Sequence, residues 1–240
     1  MRERPISSVP KPALVLLALA FLAQLLWHFM QPTQIAKAEN LMAPPSLASM
    51  RLASFGEPIA LSKVAMLYVQ AFDNQAGLHL SFQQLDYTQI EAWLDRSITL
   101  DPRSQYPLFA ASQLYGEINN EAKQRRMLDF IYRQFLLDPN HRWKALAHAA
   151  TLARHRLNDL ALAQKYAQAI RLYATAPEVP SWAKQMEIFL LEDMNELERA
   201  KILLGGLLQS GQISDPHEFK FLEQRLAALE TSLANKVKKP

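Results

Sequence analysis

Apolar residues recur every three or four positions over most of the chain, which is the spacing of one face of an α-helix. This pattern predicts helices at 59–71, from 86 to a stop at Pro102, and at 106–115, 121–137, 141–156, 159–174, 181–194 and 197–209. Short polar links such as Asp138-Pro139-Asn140 separate the helices. Links of that length join antiparallel neighbours. The sequence therefore predicts an all-α fold built from helical hairpins.

Three segments depart from the regular pattern. Residues 31–56 hold three prolines and little periodicity, so they predict a spacer with one short helix at 46–54. Residues 73–85, with a brief alternation at 78–82, predict an ordered loop. Asp215-Pro216-His217-Glu218 places a capping Asp before a Pro at the first helical position, which predicts a C-terminal capping helix at 213–235 and a basic tail at 236–240.

The N-terminal region predicts a membrane anchor. Residues 13–30 form an eighteen-residue run without Asp, Glu, Lys or Arg, long enough to span roughly 27 Å as a helix. The leader 1–12 carries three basic residues, so the positive-inside bias predicts a cytoplasmic N-terminus. The rest would then face the periplasm from a single-pass inner (cytoplasmic) membrane anchor. Ala36-Lys37-Ala38 has the form of a signal cleavage site, which leaves a cleaved signal as the alternative.

The body of the chain repeats itself at a fixed interval. Residues 90–102 align with 127–139 at an offset of 37, and both segments end in Leu-Asp-Pro. Residues 156–163 align with 193–200 at the same offset of 37, which pairs Asn158 with Asn195. A recurring helix–turn–helix of this length is typical of an α-solenoid, in which each hairpin buries its apolar face against its neighbours.

The hairpins resemble degenerate tetratricopeptide repeats over residues 57–212. Ala163 and Ala200 match the family's small position, and Leu94 and Ile131 match its bulky one. In the first helix, Ala111-Ser112 and Tyr115 fall where the family has an aliphatic-small pair and a Tyr. The departures are Ile90 and Met127 at the small position, the missing Gly of that pair, and a spacing about three residues above the family's 34.

The resemblance implies a protein-binding scaffold whose first helices line the binding face. On that face the partner-binding candidates are Tyr106, Gln113, Glu117, Trp143 and Arg154. Trp and Arg are apt anchors for a partner, although Trp143 also fits a core position.

Charge and composition narrow the function classes. The chain has 26 basic and 23 acidic residues, but six of the basic ones and Glu3 lie at the two ends. The body is therefore slightly acidic and lacks the concentrated basic face that nucleic-acid binding needs. The absence of Cys excludes disulfides, thiolate metal sites and Cys nucleophiles.

The histidines, clustered carboxylates and paired glycines of the sequence do not predict a catalytic, cofactor or metal site. His141, His148 and His155 share a helix face, but seven residues rise about 10.5 Å, too far for one ion. Carboxylates cluster at 187–198, where capping and solvated charge explain them more simply than acid–base catalysis. Gly205-Gly206 lacks a phosphate-loop context, so it predicts a close helix crossing or a kink.

These observations favour a non-enzymatic membrane scaffold or adaptor that binds protein partners of the cell envelope and helps to assemble or stabilise a complex. The first alternative is an enzyme or accessory subunit of envelope glycan metabolism that uses the acidic cluster. The second is a periplasmic chaperone-like holdase. The sequence does not define the partner or the oligomeric state.

Overall fold

The computed structural model describes residues 10–30, 40–72, 84–211, 213 and 215–237. Every regular element in these residues is helical, which confirms the predicted all-α class. The elements are α1 Lys11–Met30, α2 Leu47–Ala53, α3 Pro58–Ala71, α4 Tyr87–Leu100, α5 Tyr106–Ala110, a π-helical turn Ala111–Tyr115, α6 Glu121–Leu137, α7 Pro139–His155, α8 Leu160–Tyr173, α9 Ser181–Asp193, α10 Leu197–Gln209 and α11 Pro216–Val237. The alternation predicted at 78–82 lies outside the described residues.

Helix α1 belongs to one compact unit and helices α2 to α11 to a second. The 20 residues of α1 have a mean hydropathy of 2.1 over their most apolar window, and none is buried. Among the described helices, α1 is the one that is long and apolar enough to cross a membrane by itself. A membrane span and a signal sequence share these properties.

Polar side chains cap five of the ten helices of the second unit, namely α2, α4, α6, α8 and α11. The Asp86 carboxylate accepts a hydrogen bond from the Thr88 amide at 2.8 Å, and Asn120 caps α6 through the Lys123 amide at 3.1 Å. Asp159 caps α8 through the Leu162 amide at 2.9 Å. This hydrogen bond, together with one from Arg125, lowers the pKa of the Asp159 carboxyl. The helix boundaries therefore follow from local capping chemistry.

Part of the predicted spacer packs into the helical body. Ser46 caps α2 by accepting a hydrogen bond from the Ser49 amide, close to the predicted start of the short helix. Leu41 and Met50 are 5% and 4% exposed and belong to the main core, which extends from Leu41 to Leu190. A smaller cluster around Leu191, Leu204 and Leu222 joins α9, α10 and α11.

The two pairs of segments that align at an offset of 37 also have matching backbone conformations. Asp101 and Asp138, the residues before the two aligned prolines, have φ, ψ of −134°, 85° and −152°, 76°. Asn158 and Asn195 both adopt the left-handed conformation, with φ of 50° and 61°. Asn tolerates this conformation better than most residues, which explains why it occupies both turns.

Polar contacts repeatedly join residues separated by about one repeat. The pairs at |i−j| of 34 to 36 include Arg126–Glu91, Arg125–Asp159, Gln70–Tyr106, Gln105–His141 and Ala176–Asn140. Each connects two elements that are separated by about one repeat in the sequence. Neighbouring hairpins are therefore tied together at regular intervals along the chain.

The turn after α5 brings the backbone close to α7. A Cβ on Gly116 would lie 2.8 Å from the Ser112 carbonyl oxygen and 3.1 Å from Leu152 Cδ1, so only glycine fits there. Gly205 and Gly206 behave differently, because a Cβ on either would meet nothing within 4 Å. The close helix crossing predicted for that pair is wrong, and both residues lie within the continuous helix α10.

Candidate partner-binding surface

Exposed side chains of α5, α7 and α9 form a surface that is called here the α5–α7–α9 surface. On each helix they recur every three or four residues, so they share one helical face. The surface comprises Tyr106, Phe109, Gln113, Lys144, His148, Thr151, Trp182, Met186 and Phe189, exposed or half-buried.

Contacts between side chains join the three helices edge to edge. The Glu117 carboxylate lies 3.2 Å from His148 Nε2, which connects the end of the π-helical turn to α7. Arg154 of α7 pairs with Asp193 of α9 at 2.6 Å. The rings of Trp143 and Trp182 meet nearly perpendicularly, with centroids 5.4 Å apart. These three contacts tie each first helix to the next one.

The structure separates the predicted partner-binding residues into different environments. Tyr106 and Gln113 are exposed, and the Tyr106 ring stacks on Phe109 with centroids 6.2 Å apart. Glu117 and Arg154 are partly exposed; Glu117 lies beside His148, and Arg154 is ion-paired with Asp193. Trp143 is only 7% exposed and belongs to the core, whereas its neighbour Trp182 is 53% exposed. Trp182 therefore presents the free aromatic surface that the sequence analysis placed at Trp143.

A groove of about 180 Å³ runs between α7 and α9. Thr151, Arg154 and His155 line it from α7, and Met186, Phe189 and Leu190 line it from α9. Its floor is apolar, and the Arg154–Asp193 pair supplies charged groups at its edge. A groove of this kind suits an apolar side chain of a partner segment whose flanking polar groups reach the charged edge.

Helix α7 is rich in basic side chains. It carries Arg142, Lys144, Arg154 and three histidines, and none of its 17 residues is acidic. Arg142 is buried, where burial lowers the pKa of its guanidinium, and it donates to the Gln134 carbonyl at 2.9 Å. Arg154 pairs with Asp193, and His148 lies beside Glu117, whereas Lys144 is exposed on this face. The charges of the surface are therefore largely balanced within it.

The acidic cluster at 187–198 is organised by arginines. Ion pairs join Glu187 to Arg171 of α8, Glu192 to Arg225 of α11, Asp193 to Arg154 of α7 and Glu196 to Arg199. The hydrogen bonds from Arg225 to Glu192 raise the pKa of that guanidinium. These carboxylates therefore tie α9 to the helices packed around it.

Replacing Arg171 with leucine is expected to lower the free energy of unfolding by about 2 kcal/mol, because it strands a carboxylate that is 1% exposed. The expected loss lies below the range for fully buried pairs because Arg171 is itself 30% exposed. Denaturant unfolding of the full-length chain in mild detergent measures it.

The double variant R171L/E187L should recover most of that loss, since both charges are gone. As a second control, Arg199→Leu removes the solvent-exposed pair with Glu196 and should cost only about 0.5 kcal/mol. Equal losses for R171L and R199L would contradict the structural role of the Glu187 pair.

Comparison with protein-family models, with curated proteins and with solved structures gives no match to this chain. Across the described ranges, no three or more His, Asp or Glu side chains come together as a group that could hold a metal ion. The three histidines of α7 make separate contacts, His141 with Asp138 at 2.9 Å and His148 with Glu117.

Proposed function

We propose that the protein is a membrane-anchored scaffold that captures a segment of a partner protein on the α5–α7–α9 surface. The observation that carries this proposal is the apolar groove between α7 and α9 with the Arg154–Asp193 pair at its edge. It combines apolar contact area with charged groups that fix orientation, which is the usual composition of a binding site.

The proposal includes a solenoid of tetratricopeptide-like hairpins. Two observations support this arrangement: the polar contacts spaced by about one repeat, and the matching conformations at Asn158 and Asn195. In such an array the first helix of each hairpin contributes to one continuous face. The contacts from α5 to α7 and from α7 to α9 fit that organisation.

The proposal also places the scaffold at the bacterial inner membrane, with α1 as an uncleaved anchor and the helical body in the periplasm. The apolar helix behind a basic leader supports this topology. Anchoring raises the local concentration of the scaffold around envelope partners without any new contact. We propose that the scaffold assembles or stabilises an envelope complex in this way.

The topology is tested by a pair of reporters fused after Pro240. Alkaline phosphatase, active only outside the cytoplasm, should be active, and a fluorescent protein that matures only in the cytoplasm should be dark. Membranes washed at high pH should retain the fusion at full length. The opposite reporter pattern would overturn the orientation, and a shortened, released product would show cleavage near Ala38.

A further inference from the structure

Apolar side chains are concentrated at the turn between α2 and α3. Leu52 is 81% exposed, Phe55 96% and Ile59 51%. Phe55 also has a left-handed backbone with φ of 48°, which is unfavourable for a large aromatic residue, and Gly56 follows with φ of 91°. The backbone is therefore strained at a residue whose side chain has almost no protein contact. Residues with strained backbones often cluster at functional sites.

The apolar surface continues along α3. Val64 and Leu67 are 57% and 65% exposed, on the side opposite the buried Ser62, Ala65 and Met66. A groove of about 320 Å³ lies between α2 and α3, lined by Met50, Leu61, Val64, Tyr68, Trp93 and other apolar side chains. We call the exposed residues 52, 55, 59, 64 and 67 the α2–α3 apolar surface. Exposed apolar side chains grouped on so short a segment suit contact with an apolar environment.

The two ends of the helical array differ in the polarity of their exposed side chains. The last helix, α11, buries Leu222 and Leu229 and exposes Glu223, Gln224 and Glu230 among other polar groups. A polar outer face is what a terminal repeat needs in water. In the described segment 40–72, the charged residues are Arg51, Glu57 and Lys63 alone. Helix α11 exposes one large apolar side chain, Phe221 at 51%, so the first end of the array exposes more large apolar side chains than the last.

We propose that the α2–α3 apolar surface lies in the headgroup and acyl boundary of the phospholipid bilayer. This inference rests on the membrane anchor of the proposed function. Leu41, which packs in the core of the second unit, follows Met30 by 11 residues, a tether of at most roughly 40 Å. The tether keeps the turn within reach of the bilayer at high effective concentration. Arg51 and Lys63 against Glu57 give the segment the charge sign that anionic headgroups attract.

The geometry fits a helical pair that lies at the interface better than one that crosses the bilayer. Helices α2 and α3 together are apolar enough for a span, but they are bent by 110° at the turn. Helix α3 also buries Ser62, Ala65, Met66 and Val69 in the protein core, so half of it is unavailable to lipid.

Spin labels test this inference, and the absence of native Cys allows single labelled positions in the otherwise unchanged chain. Phe55→Cys and Leu52→Cys are labelled in full-length protein in vesicles of phosphatidylethanolamine and phosphatidylglycerol. Accessibility is measured to oxygen, which concentrates in lipid, and to a polar nickel chelate. The matched control is Leu137→Cys, a leucine of α6 that is 74% exposed. We expect the oxygen-to-nickel ratio at 55 and 52 to exceed that at 137 at least fivefold.

A label at Leu19→Cys, inside α1, reports on the anchor separately. If position 19 lies in lipid while positions 52 and 55 match position 137, the inference is overturned and the anchor stands. If 52 and 55 are shielded from both reagents, a protein surface such as a second copy covers the turn, and the inference is again overturned. A water-exposed label at 19 with lipid-exposed labels at 52 and 55 would overturn the anchor and support lipid contact at the turn.

Discussion

Replacing Trp143 with alanine is expected to lower the free energy of unfolding by about 4 kcal/mol, the typical cost of deleting a buried aromatic side chain. Trp143 of α7 is 7% exposed and packs in the main hydrophobic core and against the ring of Trp182. Its deletion removes a large apolar contact area and leaves a cavity that close-packed neighbours fill only in part. Denaturant unfolding of the full-length chain in mild detergent measures the loss.

Trp182 supplies the matched control because it is the partner in the same aromatic pair and is 53% exposed. Trp182→Ala should cost less than about 1 kcal/mol, while it removes an exposed aromatic anchor from the α5–α7–α9 surface. Similar losses for the two variants would show that Trp143 is not a core residue. The pair of variants thus separates a structural role from a binding role.

Replacing Thr151 with arginine is expected to reduce partner binding by about thirtyfold, or about 2 kcal/mol. Thr151 is exposed and lines the groove between α7 and α9, so a guanidinium there fills the space beside Phe189 and Met186. It also adds a charge next to Arg154. The measurement is the yield of co-purified partner after crosslinking in membranes, compared with the unchanged chain.

Thr231→Arg controls for the chemistry of that substitution. Both threonines are exposed on helices, and each donates a hydrogen bond to the carbonyl oxygen four residues earlier, Ala147 for Thr151 and Ala227 for Thr231. Both variants should keep the same unfolding midpoint, and Thr231→Arg should retain the partner. Equal loss of partner in the two variants would contradict binding at the groove.

The helices could be predicted from the sequence because their determinants are local. Capping residues such as Asp86 and Asn120 and the terminators Pro102 and Pro139 mark the ends, and apolar spacing marks the faces. The alignment at an offset of 37 also predicts structure, since Asn158 and Asn195 both adopt the left-handed conformation. The bounds agree to within two residues except at α11, which begins at Pro216, three residues after the predicted start.

The site was harder to predict because exposure depends on neighbours that are remote in sequence. The sequence does not show which tryptophan of the pair is covered: the predicted candidate Trp143 is buried, and Trp182 is exposed. Met186 and Phe189 were also missed, although their spacing from Trp182 follows the helical period and was a usable signal. The burial of Leu41 and Met50 in the predicted spacer depends on α3 and α4, which no local pattern reveals.

Site-specific photocrosslinking in living cells shows whether a partner protein binds the α5–α7–α9 surface. A photoreactive amino acid is placed at Thr151 in the groove, and in a parallel strain at Thr231 on α11. We expect discrete, heavier adducts at position 151 and no such adducts at position 231. Trp182→Ala should lower the yield of the adducts at position 151. A broad smear at 151 would indicate holdase activity instead. No adduct at 151, or the same adducts at both positions, would contradict the account.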